Sequence, residues 1–348
     1  MPAELSDLLR LLAVPVLGWA AYRDVLTRRV PSRTRLPLLA LGTILLLWDG
    51  WRIATAEFPR LPPTVFGVHV AVSVGLVVPL AYLLWRLGGF GGADAKALMT
   101  LAILFPSYPI YAIPTAGTDL LLPLAHTPLG AFSLTILTNT VLLAGAYPVF
   151  LAVRNLLTGD HARIMAVGQR ASSPSFKHRH GRLLETPEGF TRGGLDLDAL
   201  RMYLRWRDTT LEELRADPDR FRDPASVPAP DERHDPGDGA LGPAEEGQAA
   251  TDGGQPEALV EETTGVEQPA DVDPDDEWGA EAFLADVGWG AWGTEPEDLR
   301  AGLEVLATRE AVWYSPGIPF LVPTFLGLVL ALTYGDLLFG VLAALGLA

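Results

Sequence analysis

Apolar residues in this 348-residue chain are gathered into runs long enough to cross a bilayer, and each such run is committed to helix. In hydrocarbon every backbone N–H and C=O must be satisfied within the protein, and one helix does this for itself. About 20 mainly apolar residues are needed, fewer where flanking side chains snorkel or the bilayer thins. Six runs qualify: roughly Leu5 to Tyr22, Leu36 to Trp48, Thr64 to Leu87, Ala95 to Phe105, Ala131 to Val153 and Ile318 to Leu347. The second and fourth are short, and the last is long enough to kink near Gly335. The expected fold is all-α: a polytopic membrane protein with about six transmembrane helices. Its N-terminus lacks a basic leader, and Arg10 lies inside the first apolar run, so this segment reads as a retained span and not a cleaved signal peptide.

Charge is distributed as unevenly as hydrophobicity. The net charge is −16, yet Arg154 to Trp313 holds 34 of the 42 acids and 16 of the 26 bases, leaving a slight positive excess elsewhere. The sequence therefore divides into a membrane domain, 1–153; a basic juxtamembrane segment, 154–216; an acidic, largely disordered insertion, 217–313; and a final transmembrane helix, 314–348. In the basic segment, FKHRHGR and ALRMYLRWRD suit a small amphipathic unit lying near anionic headgroups. The stretch from about Asp217 to Asp276 is rich in Pro, Gly, Asp, Glu and Ala with almost no aromatics, a composition that does not bury enough surface to fold. Beyond it, EWGAEAFLADVGWGAWG brings back tryptophans and is placed to dock on the membrane or on the basic half. Lysine occurs only at Lys96 and Lys177. Arginine-rich and acidic composition of this kind points to an organism with a salt-rich cytoplasm, where a short Debye length screens self-repulsion. The plainer reading is a GC-rich genome with an ordinary acidic loop.

Orientation follows the arginines. Arg23, Arg28, Arg29, Arg33 and Arg35 mark the first inter-span link as cytoplasmic, whereas Ser107 to Gly130 contains no lysine or arginine and belongs outside. Alternation then puts the insertion in the cytoplasm and both termini outside, in a multi-pass protein of the cell membrane. Asp24 and Asp94 fall together at the cytoplasmic face.

Those two acids are the candidate chemistry. Asp94 stands between a glycine run and an apolar segment, where a charge is costly and points to function, usually with a partner. Asp24, at the end of the first apolar run, lies at the same depth. Peptide hydrolysis by two carboxylates needs one ionised to deprotonate water and one protonated to hydrogen-bond the scissile carbonyl, and two adjacent acids supply this by sharing a proton. Glycines at 88, 89, 91 and 92 permit close backbone approach.

GGAD at Gly91, Gly92, Ala93 and Asp94 resembles the GxGD signature of membrane aspartyl proteases, and Lys96 resembles the lysine of the GxGDxK form in type IV prepilin peptidases. Asp24 followed by Val30 and Pro31 is similar to that family's first-aspartate motif. Two positions depart from it: Ala93 stands in place of the second glycine, and Ser32 in place of the usual Asn. Six spans with both acids at the cytoplasmic side match the archaeal prepilin and preflagellin peptidases. The resemblance implies catalytic Asp24 and Asp94, with Val30, Pro31, Gly91, Gly92, Ala93 and Lys96 shaping the motifs. It further implies a substrate with a short basic leader ahead of a hydrophobic helix, as in precursor pilins and archaellins. Relatives that also methylate their product carry a cysteine-bearing insertion near the N-terminus. This chain has no cysteine, so cleavage without methylation is implied.

Other readings stay in view. Asp94 alone would serve as a helix N-cap, Asp24 as an ion-pair partner of Arg23 or Arg28, and Asp336 as a structural hydrogen-bond acceptor. His69 reads as a packing residue. No metal or cofactor is expected: thiolates are absent, His161, His178 and His180 are poorly spaced for ligation, and the glycine run lacks the ending of a phosphate loop. No nucleic-acid partner is expected, and the oligomeric state is open. The rival functions are another GxGD intramembrane protease and a proton-coupled transporter using paired acids as a relay. Against the transporter, no internal repeat is evident and the acids lie at one face.

Overall fold

The computed structural model describes residues 4–28, 30–56, 60–87, 91–114, 119–241, 273–287, 291–317 and 319–347. In chain order the helices begin with α1 (Leu5–Arg10), α2 (Ala13–Thr27), α3 (Leu36–Thr55), α4 (Pro63–Val72), α5 (Val78–Arg86) and α6 (Gly92–Leu104). A short hairpin, β1 (Tyr111–Ile113) and β2 (Leu120–Leu122), leads to the long helix α7 (Phe132–Thr158). Then come β3 (Gln169–Ser172), β4 (Arg182–Leu183), β5 (Glu185–Thr186), β6 (Gly189–Phe190), α8 (Leu197–Trp206), α9 (Leu211–Ala216), α10 (Pro218–Arg222), α11 (Ala280–Val287), α12 (Pro296–Thr308) and β7 (Ala311–Ser315). The chain closes with α13 (Leu321–Thr333) and α14 (Leu337–Ala344).

Two compact units result. The first, from Met1–Ala146 and Pro319–Ala348, is the membrane unit. Four helical stretches are long and apolar enough to cross a bilayer among the described residues: Leu5–Thr27, Arg33–Thr55, Pro63–Arg86 and Phe132–Thr158. The third is α4 and α5 joined through a π-helical turn, Ser73–Val77. Fewer helices thus reach spanning length than the six runs expected. The fourth run forms α6, only 13 residues long. The sixth is split, because Gly335 takes a left-handed φ of +103° and Asp336 starts a new helix, so α13 is also 13 residues long. This break is stitched from outside: Asn139 on α7 donates to the Gly335 carbonyl and accepts from the Leu337 N–H, while the Asp336 carboxylate caps Phe339.

Small residues set the helix spacing in this unit, as is common where backbones approach closely in membranes. A Cβ on Gly42 of α3 would lie 3.1 Å from Leu104 Cα on α6, and one on Gly18 of α2 would lie 3.1 Å from the Phe325 ring on α13. Leu17, Ala20, Leu38, Leu101, Phe132 and Leu328 build the shared core.

At one end of the bundle a buried ion network holds the termini of several helices. Arg10, which interrupts the first apolar run, donates to Asp7 at 2.9 Å, to Asp49 of α3 at 2.5 Å and to the Leu104 carbonyl at the end of α6 at 2.7 Å. Asp7 also accepts from Arg60 at 2.7 Å and from the Ile110 N–H at 3.1 Å. Each charge is thereby paired and hydrogen-bonded, the condition under which burial is tolerated.

The second unit, Tyr147–Ala250 and Val260–Ile318, differs from expectation. It contains strands, so the chain is not all-α: β7 lies between β3 and β4, antiparallel to both, and β5 pairs with β6. The basic segment and the described parts of the acidic segment share one core. Tyr203 and Trp206 of α8 meet Phe283 of α11, each with ring centroids 5.5 Å apart, and Trp278 and Phe221 are buried with them. Arg205 of α8 is exposed, whereas Arg201 of α8 and Arg207, just past its end, are buried. Arg201 donates to the Gly239 and Arg179 carbonyls, and Arg207 to the Phe221 and Trp278 carbonyls. The expectation of a largely disordered 217–313 fails for 217–241, 273–287 and 291–313, which carry α10, α11, α12 and part of β7 and whose apolar groups reach a core shared with distant residues. The rest of that expectation, 242–272 and 288–290, lies outside the described residues.

Candidate active site

The two motifs meet at the opposite end of the membrane unit from the Arg10 network. Asp24 is in the last turn-and-a-half of α2, which ends at Arg28 in a left-handed conformation, φ 56°. The chain then turns through Val30 and Pro31 into a 3-10 turn, Ser32–Arg35, and enters α3 with Pro37 in its first turn. Asp94 is the third residue of α6, whose N-cap is Gly91 with extended ψ of 153°. Asp94 is thus not the cap itself; its carboxylate accepts from the N-cap's own N–H.

Asp24 and Asp94 are both half-buried and close enough for their charges to interact, with the Arg28 guanidinium facing the pair. Each carboxylate is held by a backbone donor at the start of a helix: Gly91 N–H for Asp94 and, from the far end of the chain, Leu321 N–H at the first turn of α13 for Asp24. Donors at helix N-termini suit negative charge. The Arg23 guanidinium lies 5.7 Å from the centroid of the Trp19 ring.

The motif residues divide by role. Gly91 approaches Asp94 so closely that a Cβ there would lie 2.8 Å from Oδ2. Gly92 is buried at the first position of α6. Val30, Pro31 and Ala93 line a small apolar cavity beside the acids, together with Ala20, Ala97 and Leu321. Lys96 is half-buried on α6, one turn before Thr100, whose hydroxyl donates to the Lys96 carbonyl at 2.8 Å. Gly88 and Gly89 lie outside the described residues.

Asp336 is remote in role: buried, and satisfied as the cap of α14. His69 is buried against Gly130. No group of three or more potential metal ligands occurs among the described residues. Sequence reasoning misses Leu321, because a backbone amide carries no side-chain signal, and it misses Ala20 and Ala97, whose contribution is the space they leave.

Residues 11–149 match the type IV leader peptidase family. That interval contains Asp24, Asp94 and every motif residue between them. The chain is similar to a prepilin peptidase, EppA, from Methanothermobacter thermautotrophicus, 26% identical over 125 residues, which are 36% of this chain and 29% of the relative. It is also similar to a preflagellin peptidase from Methanococcus voltae, 28% identical over 151 residues, 42% of this chain and 58% of the relative. The similarity therefore spans less than two thirds of either relative's length. No solved structure matches the chain.

Proposed function

We propose that this multi-pass membrane protein is an aspartyl endopeptidase that removes the short basic leader of prepilin-like or preflagellin precursors at the cytoplasmic membrane face. The observation that carries the reading is the approach of Asp24 and Asp94 at one end of the bundle, within the interval that matches the leader peptidase family.

In the proposed reaction, the ionised carboxylate of the pair takes a proton from a bound water as its oxygen attacks the scissile carbonyl carbon. The protonated carboxyl donates to the carbonyl oxygen, giving a neutral gem-diol. Collapse returns one proton to an aspartate and passes one to the leaving nitrogen, so that the C–N bond breaks and the dyad again holds a single proton. The Gly91 and Leu321 N–H groups fix the two carboxylates without supplying protons. The bulk of the electrostatic help comes from groups oriented before the substrate arrives.

The arginine-rich turn after Asp24 supports a cytoplasmic position for the dyad and for the second unit. Absence of cysteine from the chain supports cleavage without methylation. The acidic excess of the second unit supports a salt-rich cytoplasm. The test is incubation of membranes carrying this protein with a prepilin and with a preflagellin, followed by N-terminal sequencing of the shortened product. Release of the leader alone, with an unmodified new N-terminus, is the expected result; unchanged precursors would refute the reading.

A further inference from the structure

The apolar cavity next to the two aspartates has no task in the chemistry described above, and its position gives it one. Its walls come from four elements that also carry the site: Ala20, one turn before Asp24 on α2; Val30 and Pro31 in the turn that follows; Ala93 and Ala97, on either side of Asp94 on α6; and Leu321, whose N–H holds Asp24. Leu38 of α3 is also buried against it, and Thr34, Arg35 and Thr100 stand in the same wall, although nearly all of the surface they leave to the cavity is apolar. Three of the wall residues are alanines. The space exists because those side chains end at Cβ, and any larger residue at the same position would occupy it.

We infer that this cavity receives the substrate side chain immediately after the scissile bond and that it selects a short aliphatic group over an aromatic one. The inference rests on the peptidase reading above. Its first support is continuity: Ala93 directly precedes Asp94 and Ala20 lies one turn before Asp24, so the cavity borders both helices that carry the acids. Its second is chemistry. A leader that is basic and a mature segment that is hydrophobic meet at the bond to be cut, so the residue following the bond is the first one suited to an almost wholly apolar lining. Its third is size. The cavity measures about 40 Å³. A single water needs roughly 10–15 Å³ by the same measure, and a cavity of about 150 Å³ is what holds a benzene ring. About three carbon-sized groups fit, which matches alanine or valine better than a phenyl ring.

Pockets that read one or two methylenes discriminate by about 10–200-fold. The experiment uses membranes carrying the intact protein and a set of precursors that differ only at the residue after the scissile bond: Gly, Ala, Val and Phe. The wild-type protein should cut the Ala and Val precursors with kcat/KM at least about tenfold above that for Phe, the difference falling mainly in KM. Ala97→Leu, which fills the cavity, should lose the Val precursor while still cutting the Gly precursor. Leu38→Ala, which enlarges it, should narrow the gap between Val and Phe. Equal kcat/KM for all four precursors would overturn the inference, as expected of a packing void or of a cavity filled by a lipid acyl chain, and so would an Ala97→Leu protein that slows the Gly and Val precursors by the same factor. Failure to cut any precursor would overturn the peptidase reading together with the inference, a result distinct from flat specificity.

Discussion

The N–H of Gly91 is bound by the carboxylate of Asp94, and Asp94 Oδ2 lies 2.8 Å from the point a Cβ on Gly91 would occupy. Gly91 has φ of −65°, so its backbone is one that alanine adopts freely. Gly91→Ala should therefore insert and fold normally, yet push the carboxylate away from its position. A displacement of about 1 Å at a reacting group costs on the order of 10²-fold in rate. A loss of that size in kcat, with wild-type abundance in the membrane, is expected; unchanged cleavage would mean that Asp94 is not held in place by Gly91.

The Arg10 network should matter to stability and not to the reaction, because it lies at the other end of the bundle. Removing one member of a buried, hydrogen-bonded charge cluster leaves the remainder uncompensated and costs about 3–5 kcal/mol. Asp49→Ala should lower the temperature at which the protein aggregates from mild detergent, while protein that survives cuts precursor at the normal rate. A variant as stable as the wild type would show that Asp49 contributes little to holding Arg10.

In the second unit, burial followed by the charge of Asp198 pushes the Asp196 carboxyl up to about 6, against the pull of the Asp198 N–H, Arg182 and Arg201. The folded unit thus holds a proton that the unfolded chain releases near the ordinary carboxylate range. By linkage, this residue's contribution to stability is fully present below about pH 4 and is lost as pH rises through about 6. Asp196→Asn, uncharged at every pH and still able to cap α8, should remove that slope and raise stability at pH 7. Tryptophan fluorescence of full-length protein during denaturant titration, at pH 4, 5, 6 and 7, reads this through Trp206 and Trp278. A parallel pH dependence in wild type and variant would contradict it.

Shortening the acidic segment should have two different outcomes depending on where the cuts fall. Deleting 219–275 removes Phe221 from the core and takes away the Phe221, Ser226 and Gly239 acceptors of Arg207 and Arg201. That variant should expose Trp206 and become protease-sensitive. Deleting 242–272 touches none of these groups and should leave both the protease resistance of the unit and precursor cleavage intact at molar salt.

The contrast marks where sequence reading succeeds. Runs of apolar residues are read locally, so α2, α3, the α4–α5 helix, α7 and the break at Gly335 are legible. So is the approach of Asp24 and Asp94, since one ends a run and the other begins one at the same depth. The second unit is not legible by these means. Arg201 and Arg207 look like surface charge; Arg201 pairs with Asp198 and donates to the Gly239 carbonyl, and Arg207 donates to the Phe221 and Trp278 carbonyls, which together make their burial tolerable. Phe221 and Phe283 are isolated within acidic sequence; Phe283 gains the Tyr203 and Trp206 rings of α8 as partners, and Phe221 lies beneath the Arg207 guanidinium. Likewise α6 is too short for a confident span by length alone, and its neighbours α3 and α5 supply the packing that holds it.

The central claim is that Asp24 and Asp94 act together as the acid and base of peptide cleavage. Asn keeps the size of each side chain and removes its titratable proton, so the most direct measurement is precursor cleavage by membranes carrying Asp24→Asn or Asp94→Asn at wild-type abundance, with Asp336→Asn as the buried-acid control. Loss of detectable cleavage in each of the first two, and near-normal cleavage in the third, is the predicted result. Near-normal cleavage by either dyad variant would contradict the account.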